Sequence, residues 1–244
     1  MNDKIFSSLK QPVKHRLPDQ VAQQIKQLIL NREIKEGDKI PPDRVLAEML
    51  GVSRVVVQEA VRSLERSGFL KVKPGARGGW YAANNLHRPF FESIADIFNT
   101  GNLELNDFFE TRTAIECLCA GKAAQRVTDE DILELEKINL EFLDAIQDPS
   151  IMSEANLKFH VKIAEISGNS LNRLIVPAIM EMMSIMYTGA YQSIEFIREN
   201  HDRHTKIIEA LRSRDPVLAA KSMSEDISLT LDLTILPKPG GHKV

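Results

Sequence analysis

Helical periodicity without any strand pattern extends over residues 86–235, and this feature most constrains the fold. Apolar residues recur there at helical spacing in successive segments joined by short connections. Thr128 with Asp131 resembles a capping box, and Asp215 precedes a proline at a first helical position. Helices arranged in this way bury their apolar faces against one another, which predicts an all-α bundle of six to seven helices. The predicted segments are 86–99, 104–125, 129–147, 152–167, 170–191, 193–213 and 216–235.

The first 83 residues show a different order of elements. Residues 18–31 have amphipathic helical spacing, and a short helix after the paired prolines ends at Gly51. A third helix opens on Ser53, which is a favoured N-cap residue. The runs "FLKVK" and "GWYAA" then flank "PGARG", which indicates a β-hairpin. This order predicts a winged helix-turn-helix, whose second helix of the pair enters the major groove of DNA.

Charge is unevenly divided between these two parts. Residues 1–80 hold 15 Lys and Arg against 9 Asp and Glu, whereas residues 81–244 hold 16 against 25. The basic residues 1–80 favour a polyanionic partner, whereas the acidic residues 81–244 favour a partner of another kind. We therefore predict a mainly α protein with a winged helix-turn-helix and a separate helical domain. The expected boundaries are 1–83 for the DNA-binding domain, 84–235 for the helical domain and 236–244 for a disordered tail.

Several polar residues of the first part are suited to contact DNA. Ser53 and Arg54 stand at a helix N-terminus, where free N–H groups and the helix dipole favour a phosphate. Gln58 follows Arg54 by one turn, and these side chains pair with adenine and guanine respectively. Any one arginine could instead be a solvated surface charge, but the ordered set favours DNA binding. The candidate contacts are Arg44, Ser53, Arg54, Gln58, Arg62, Gly75 and Arg77.

The stretch "GDKIPPDRVLAEMLGVSRVVVQEAVRSLERSGFLKVKPGARGG" resembles the DNA-binding signature of the GntR family of bacterial transcription regulators. The resemblance covers roughly residues 16–83 and includes the "PPDR" and "GVSR" elements. It implies DNA-contacting roles for Arg44, Arg54, Gln58 and Gly75. The family usually has Arg where this chain has Gln58, so the operator sequence of relatives does not transfer.

Four polar side chains of the second part fall on the apolar faces of their helices. Asn156 and His160 lie one turn apart on one helix, and His204 and Asp226 lie on two others. Such groups need partners because an unpaired buried charge is costly. Hydrogen-bonded pairs, a catalytic constellation and a bound metal would each provide them. Two imidazoles with an amide and a carboxylate favour a metal such as Zn, Ni or Mn.

The elements "FFETRTAIE", "NLKFH" and "HTKIIEALRSRDPVLAAKSM" resemble the FCD effector domain of the FadR subfamily, over roughly residues 86–235. Many FCD domains hold a divalent metal with one Asp and three His and bind a small carboxylate effector through it. The matching positions here are Asn156, His160, His204 and Asp226. Asn replaces the Asp and Asp replaces one His, so the formal charge of the set is unchanged. We expect a retained metal site, weaker for Zn; the alternative is a metal-free polar cluster that binds the effector directly.

Arg112 falls on an inward helix face with Glu116, one turn further along. One role for Arg112 is a buried ion pair with Glu116. The resemblance implies another role, in which Arg112 binds an effector carboxylate as a guanidinium fork. The two roles can coexist, so both residues are candidate effector contacts.

These features predict a ligand-responsive regulator that binds double-stranded operator DNA as a homodimer. A metal-dependent enzyme is a competing class, but no separate general base or nucleophile motif accompanies the candidate ligands, so we predict no enzymatic activity. A sensor of a long-chain acyl thioester is a further alternative, and an apolar channel would mark it. The absence of a signal-like or membrane-spanning segment and the poor placement of Cys117 and Cys119 for a disulfide predict a cytoplasmic protein.

Overall fold

The computed structural model describes residues 16–75, 78–144, 146, 148, 150–186 and 194–233. The chain divides into two compact units, Met1–Pro89 and Phe90–Val244. Arg77 and the predicted tail at 236–244 lie outside the described residues.

The first unit contains three helices and a two-stranded sheet. Helix α1 is Leu17–Leu30, α2 is Asp43–Leu50, α3 is Arg54–Arg66, and the strands are β1 (Leu70–Lys73) and β2 (Gly79–Ala82). The N-cap prediction for α3 is confirmed, since the Ser53 hydroxyl accepts a hydrogen bond from the backbone N–H of Val56. The predicted winged helix-turn-helix order of elements is therefore present.

The apolar faces of the three helices form one small core. Val21 and Ile25 of α1 are buried with Leu46 of α2 and with Val57 and Val61 of α3. Burial of these side chains against one another removes apolar area from water and stabilises the unit. This packing fixes α3 relative to α2, and the polar face of α3 is left exposed.

Helix α3 turns directly into the hairpin at Gly68. This residue has φ +76°, and a Cβ placed there would lie 2.2 Å from the carbonyl oxygen of Asn85. Only glycine tolerates both the left-handed backbone and this close approach. Strand β1 then pairs antiparallel with β2, with Leu70 opposite Ala82, and a single bridge joins Lys39 to Tyr81.

The second unit is a bundle in which each predicted helical segment has a counterpart. The ends differ by a few residues, as is usual for helix boundaries read from sequence. The segment predicted to run from 170 to 191 is helical to Met186, and residues 187–193 lie outside the described residues. The helices are α4 (His87–Asn99), whose first three residues fall in the first unit, α5 (Leu105–Ala124), α6 (Asp129–Asp144), α7 (Ser150–Ile166), α8 (Asn172–Met186), α9 (Ile194–Arg212) and α10 (Pro216–Leu233).

Caps fix several of these helices at the positions expected from sequence. The Asp131 carboxylate accepts hydrogen bonds from the N–H and hydroxyl of Thr128, and the Thr128 hydroxyl accepts from the N–H of Asp131. At the start of α10, the Asp215 carboxylate accepts from the backbone N–H groups of Val217 and Leu218. These bonds satisfy N–H groups that a helix N-terminus leaves without partners.

Helix α5 lies at the centre of the bundle. It packs against α7, α8, α9 and α10, and its inward face includes Ala120, Ala123 and Ala124. Small side chains there allow the neighbouring helices to approach closely. Among the described helices, none is both long and apolar enough to cross a membrane.

Candidate functional site

Three of the seven predicted DNA contacts are exposed along α3 or at its N-cap. Ser53, Arg54 and Arg62 are exposed, with Arg54 as the first residue of the helix. On α2, the Arg44 side chain is 74% exposed and lies 3.8 Å from Glu48 in a weak surface pair. These cations are therefore accessible to a phosphate or a base edge.

Gln58 differs from the other predicted contacts because it already has a protein partner. Its Nε2 donates a hydrogen bond of 3.1 Å to Oδ2 of Asp43, the first residue of α2. The bond joins the two helices of the helix-turn-helix. It also orients the amide, because a carboxylate can only accept. Gln58 is half-buried at this contact.

The wing carries a cationic cluster that sequence reasoning missed. Lys39 and Lys73 place their ammonium groups 5.6 and 4.4 Å from the ring centroid of Tyr81. Lys39 reaches the ring through the isolated bridge to β2, a long-range pairing that hairpin spacing does not predict. The predicted wing residue Gly75 is exposed with φ +103°.

Three of the four predicted metal ligands meet inside the second unit. Ligand atoms of His160 on α7, His204 on α9 and Asp226 on α10 all lie within 4.8 Å of one another. Their exposed fractions are 1%, 0% and 2%. Helical periodicity directs each side chain inward, and the packing of α7, α9 and α10 brings them together.

The ring of His204 is held between aromatic side chains. Phe159 stacks on it with centroids 3.9 Å apart, and Phe142 meets it edge-on at 5.4 Å. Burial, followed by the nearby His160 and Arg203, lowers the pKa of His204 well below its usual range. The imidazole is therefore neutral at physiological pH, which is the form that ligates metals.

His160 is oriented by a carboxylate on its other side. Its Nδ1 contacts Oε2 of Glu116, and Oε1 of Glu116 accepts a 2.6 Å hydrogen bond from Nε of Arg112. The predicted ion pair between Arg112 and Glu116 is present and buried. Burial alone would raise the pKa of Glu116, but Arg112 and His160 outweigh it and lower that pKa to about 2. An ionised Glu116 accepts a hydrogen bond from Nδ1–H of His160, which leaves the lone pair of the ring on Nε2, 3.7 Å from Oδ2 of Asp226.

Asp226 has a cationic partner that the sequence did not reveal. Nε of Arg203 donates to Oδ1 of Asp226 at 3.1 Å, and Arg203 is 9% exposed. Arg203 immediately precedes His204, so a helical wheel sets it 100° away from the inward face. Its long side chain nevertheless reaches inward, and side-chain reach is a property that a wheel does not encode.

Asn156, the fourth predicted ligand, lies one turn before His160 and is 6% exposed. It lines a small recess with Ser153, Asn200 and Phe142. Phe142 also packs on His204, so the recess adjoins the cluster of His160, His204 and Asp226. We call these three residues, with Asn156, the inward cluster.

The donors of the inward cluster fit a divalent metal. Considering the described residues, neither Nε2 of His160 nor either ring nitrogen of His204 has a hydrogen-bond partner. Buried polar atoms are normally paired, so three such nitrogens beside a carboxylate are an unusual set. Two imidazoles, a carboxylate and an amide are ligands that Zn, Ni and Mn accept.

Comparisons with known proteins agree with this architecture. Residues 17–80 match the family described as bacterial regulatory proteins, gntR family, and residues 107–229 match the FCD domain. A protein of Escherichia coli (strain K12), provisionally named as an L-lactate dehydrogenase operon regulatory protein, is 30% identical over 87% of this chain and 84% of its own. The HTH-type transcriptional repressor NanR of Cronobacter sakazakii is 27% identical over 87% and 83%.

Solved structures give the same result. A Streptococcus agalactiae GntR structure superposes with a TM-score of 0.62 at 29% identity, covering 88% of this chain and 99% of that one. Escherichia coli McbR/YncC, at 19% identity and a TM-score of 0.51, shares the fold over 91% of this chain and 98% of its own. The chain therefore belongs to the GntR family and is a transcription regulator with an FCD effector domain.

Proposed function

We propose that this regulator binds a small organic acid in its FCD domain through a divalent metal held by Asn156, His160, His204 and Asp226. The observation that supports the proposal most directly is the set of buried imidazole nitrogens without hydrogen-bond partners within the described part of the chain. A buried nitrogen that lacks a partner loses the free energy of its hydrogen bond to water. A metal ion would satisfy two of these atoms at once, Nε2 of His160 and one ring nitrogen of His204.

Glu116 and Arg112, on the Nδ1 side of His160, also support the proposal. A carboxylate on the far nitrogen of a histidine fixes its tautomer and raises its basicity towards a metal. Glu116 stands in this position on His160, and Arg112 holds Glu116 in its ionised form. We assign both residues to the effector site, where Arg112 supplies positive charge for an acidic ligand.

The effector class follows from the chemistry of the site. When bound, the metal would offer coordination positions beyond those that the protein fills, and carboxylate oxygens suit them. One relative's name refers to the L-lactate dehydrogenase operon. Small hydroxycarboxylates, with L-lactate first, are therefore the acids to test.

A metal-free effector site is the second candidate, and one contact favours it. Arg203 already neutralises Asp226, and Asn156 lacks the charge of the carboxylate that the family has there. In this case the inward cluster would bind the acid directly by hydrogen bonds.

We assign DNA recognition to the exposed faces of α2, α3 and the wing. Arg54 and Gln58 would reach base edges, while Ser53 and Arg62 would contact the backbone. A homodimer would place two copies of α3 in successive major grooves of a near-palindromic operator. Arg44, Gly75 and Arg77 complete the proposed set.

The test measures metal binding and its effect on DNA affinity in the same full-length protein. Chelator-stripped protein is titrated with Zn²⁺ and Mn²⁺, and operator affinity is then measured with and without L-lactate and related acids. Each chain should bind one ion, and one of the acids should change operator affinity only in metal-loaded protein.

Two histidine variants sharpen this test. His204→Ala should abolish metal binding, whereas His201→Ala should retain it, because His201 lies on the same helix but contacts the Asn139 carbonyl instead. Acid binding that persists in stripped protein would favour the metal-free alternative.

A further inference from the structure

The four charged residues that are buried in the described part of the chain all belong to one connected group. Arg112 pairs with Glu116, Glu116 contacts His160, and Arg203 pairs with Asp226. Each of these four is at most 9% exposed. Two guanidinium groups thus balance two carboxylates inside the bundle. The group is electrically neutral without a metal when the histidines are neutral.

Arg203 is the member of this group that acts on the proposed metal ligands themselves. Its Nε donates to Oδ1 of Asp226, and Oδ2 of the same carboxylate lies 3.7 Å from Nε2 of His160. Its other acidic neighbour, Glu199, is 63% exposed and 3.9 Å away, which makes a weak pair. Asp226 is therefore the principal partner of Arg203.

We propose that Arg203 is an internal competitor that lowers the affinity of the inward cluster for divalent metal. The inference rests on the proposed function and extends it to how tightly the site holds its ion. The guanidinium hydrogen-bonds to the carboxylate that the ion would also need. It also places a fixed positive charge beside the cation site.

Burial makes this effect large. Repulsion between like charges grows as the surroundings lose water, because the local dielectric constant falls. In the metal-free protein Arg203 also removes the penalty of burying Asp226 alone. Arg203 therefore opposes the ion in two ways: it stabilises the empty state and destabilises the loaded one.

The charge of Arg203 also affects how readily the site exchanges its ion. A site whose charge is already balanced would exchange its ion more readily than one that presents a bare carboxylate. Metal occupancy would then vary with the concentration of free metal. The response to the acid effector would vary with it.

The experiment compares metal affinity among full-length variants that have been stripped by a chelator. Arg203→Met removes the charge and keeps an apolar stem against Phe196, over which the guanidinium now lies. Arg198→Met is the matched control, since Arg198 is an exposed cation on the same helix. Competition with a chromophoric chelator gives the affinity for Zn²⁺ and for Mn²⁺.

We expect Arg203→Met to bind metal about tenfold more tightly or better than wild type, and Arg198→Met to match wild type. Arg203→Lys should stay within about threefold of wild type, because it keeps the charge. Circular dichroism verifies folding, and Arg203→Gln replaces Arg203→Met if the latter does not fold.

The outcomes separate this inference from the proposed function. If wild type binds no metal and Arg203→Met binds it, the inference stands and metal retention in the native protein fails. If wild type binds metal and Arg203→Met binds it equally or more weakly, the inference is overturned and metal retention stands. If neither protein binds metal, both are overturned.

Discussion

Nε2 of His160 lies 3.7 Å from Oδ2 of Asp226, across the interior of the helical domain. The separation exceeds hydrogen-bond length, so neither atom satisfies the other in this arrangement. A separation of this size suits two atoms that ligate the same metal ion. Helices α7 and α10 bring the pair together although the two residues are 66 positions apart in the sequence.

Glu116 should be essential for the stability of the helical domain. Glu116→Gln removes the anion that holds Arg112 and His160, and leaves Arg112 as a buried cation with a neutral neighbour. Breaking a buried pair from one side costs about 3 kcal/mol. Urea unfolding should show this loss. Glu110→Gln, an exposed change on the same helix, should alter the free energy of unfolding by less than about 0.5 kcal/mol.

The same carboxylate gives stability a defined pH dependence. The pKa of Glu116 falls from 4.5 to about 2 in the folded protein, so folding favours its ionised form. The contribution of Glu116 to the free energy of unfolding is complete above the pKa that it has in the unfolded chain. It is lost as the pH falls from about 4.5 towards 2.

The pH dependence is tested by measuring the free energy of unfolding of wild type and of Glu116→Gln at pH 6 and pH 3. The contributions of all other carboxylates are the same in both proteins and cancel when the two losses are compared. Wild type should lose more stability than Glu116→Gln over that range, by an amount of order 1–2 kcal/mol. Equal losses in the two proteins would show that Glu116 has an ordinary pKa.

Arg54 should contribute to DNA affinity through its place at the first turn of α3. Arg54→Ala should weaken binding to a selected operator by about 1–3 kcal/mol and reduce its salt dependence. Fluorescence anisotropy at several salt concentrations measures both effects. Arg198→Ala removes a cation from the other unit and should change neither.

Gln58 should determine one base of the operator. Its Nε2 already donates to Asp43. We therefore expect its carbonyl oxygen to accept a hydrogen bond from the base, which favours adenine, with cytosine as the second acceptable base. Selection from a random DNA library should enrich adenine at one position of each half-site. Gln58→Arg should change that position to guanine, and Asp43→Ala should relax the preference. If wild type and Gln58→Arg select the same base at every position, Gln58 does not contact a base.

The sequence predicted the helical segments well because their apolar spacing and caps are local signals. Ser53, Thr128 and Asp215 cap their helices as expected. It also predicted that His160, His204 and Asp226 face inward, since a wheel depends only on periodicity. Their mutual distances depend on how three helices pack, and the resemblance to FCD domains supplied that expectation.

Arg203 and the lysines around Tyr81 could not be predicted in the same way. Arg203 lies at the flank of its helix and reaches Asp226 only through the length of its side chain. Lys39 meets Tyr81 through a bridge between distant segments. Such contacts arise from tertiary packing, which no local pattern encodes. The bond between Gln58 and Asp43 belongs to the same class.

The proposed function requires the inward cluster to bind one divalent ion. The most direct measurement is anomalous diffraction at the zinc and manganese edges from crystals of the full-length protein loaded with each metal. We expect one anomalous peak per chain, within bonding distance of His160 Nε2, His204 and Asp226. A fully loaded crystal with no peak among these side chains, and with Arg203 still paired to Asp226, would contradict it.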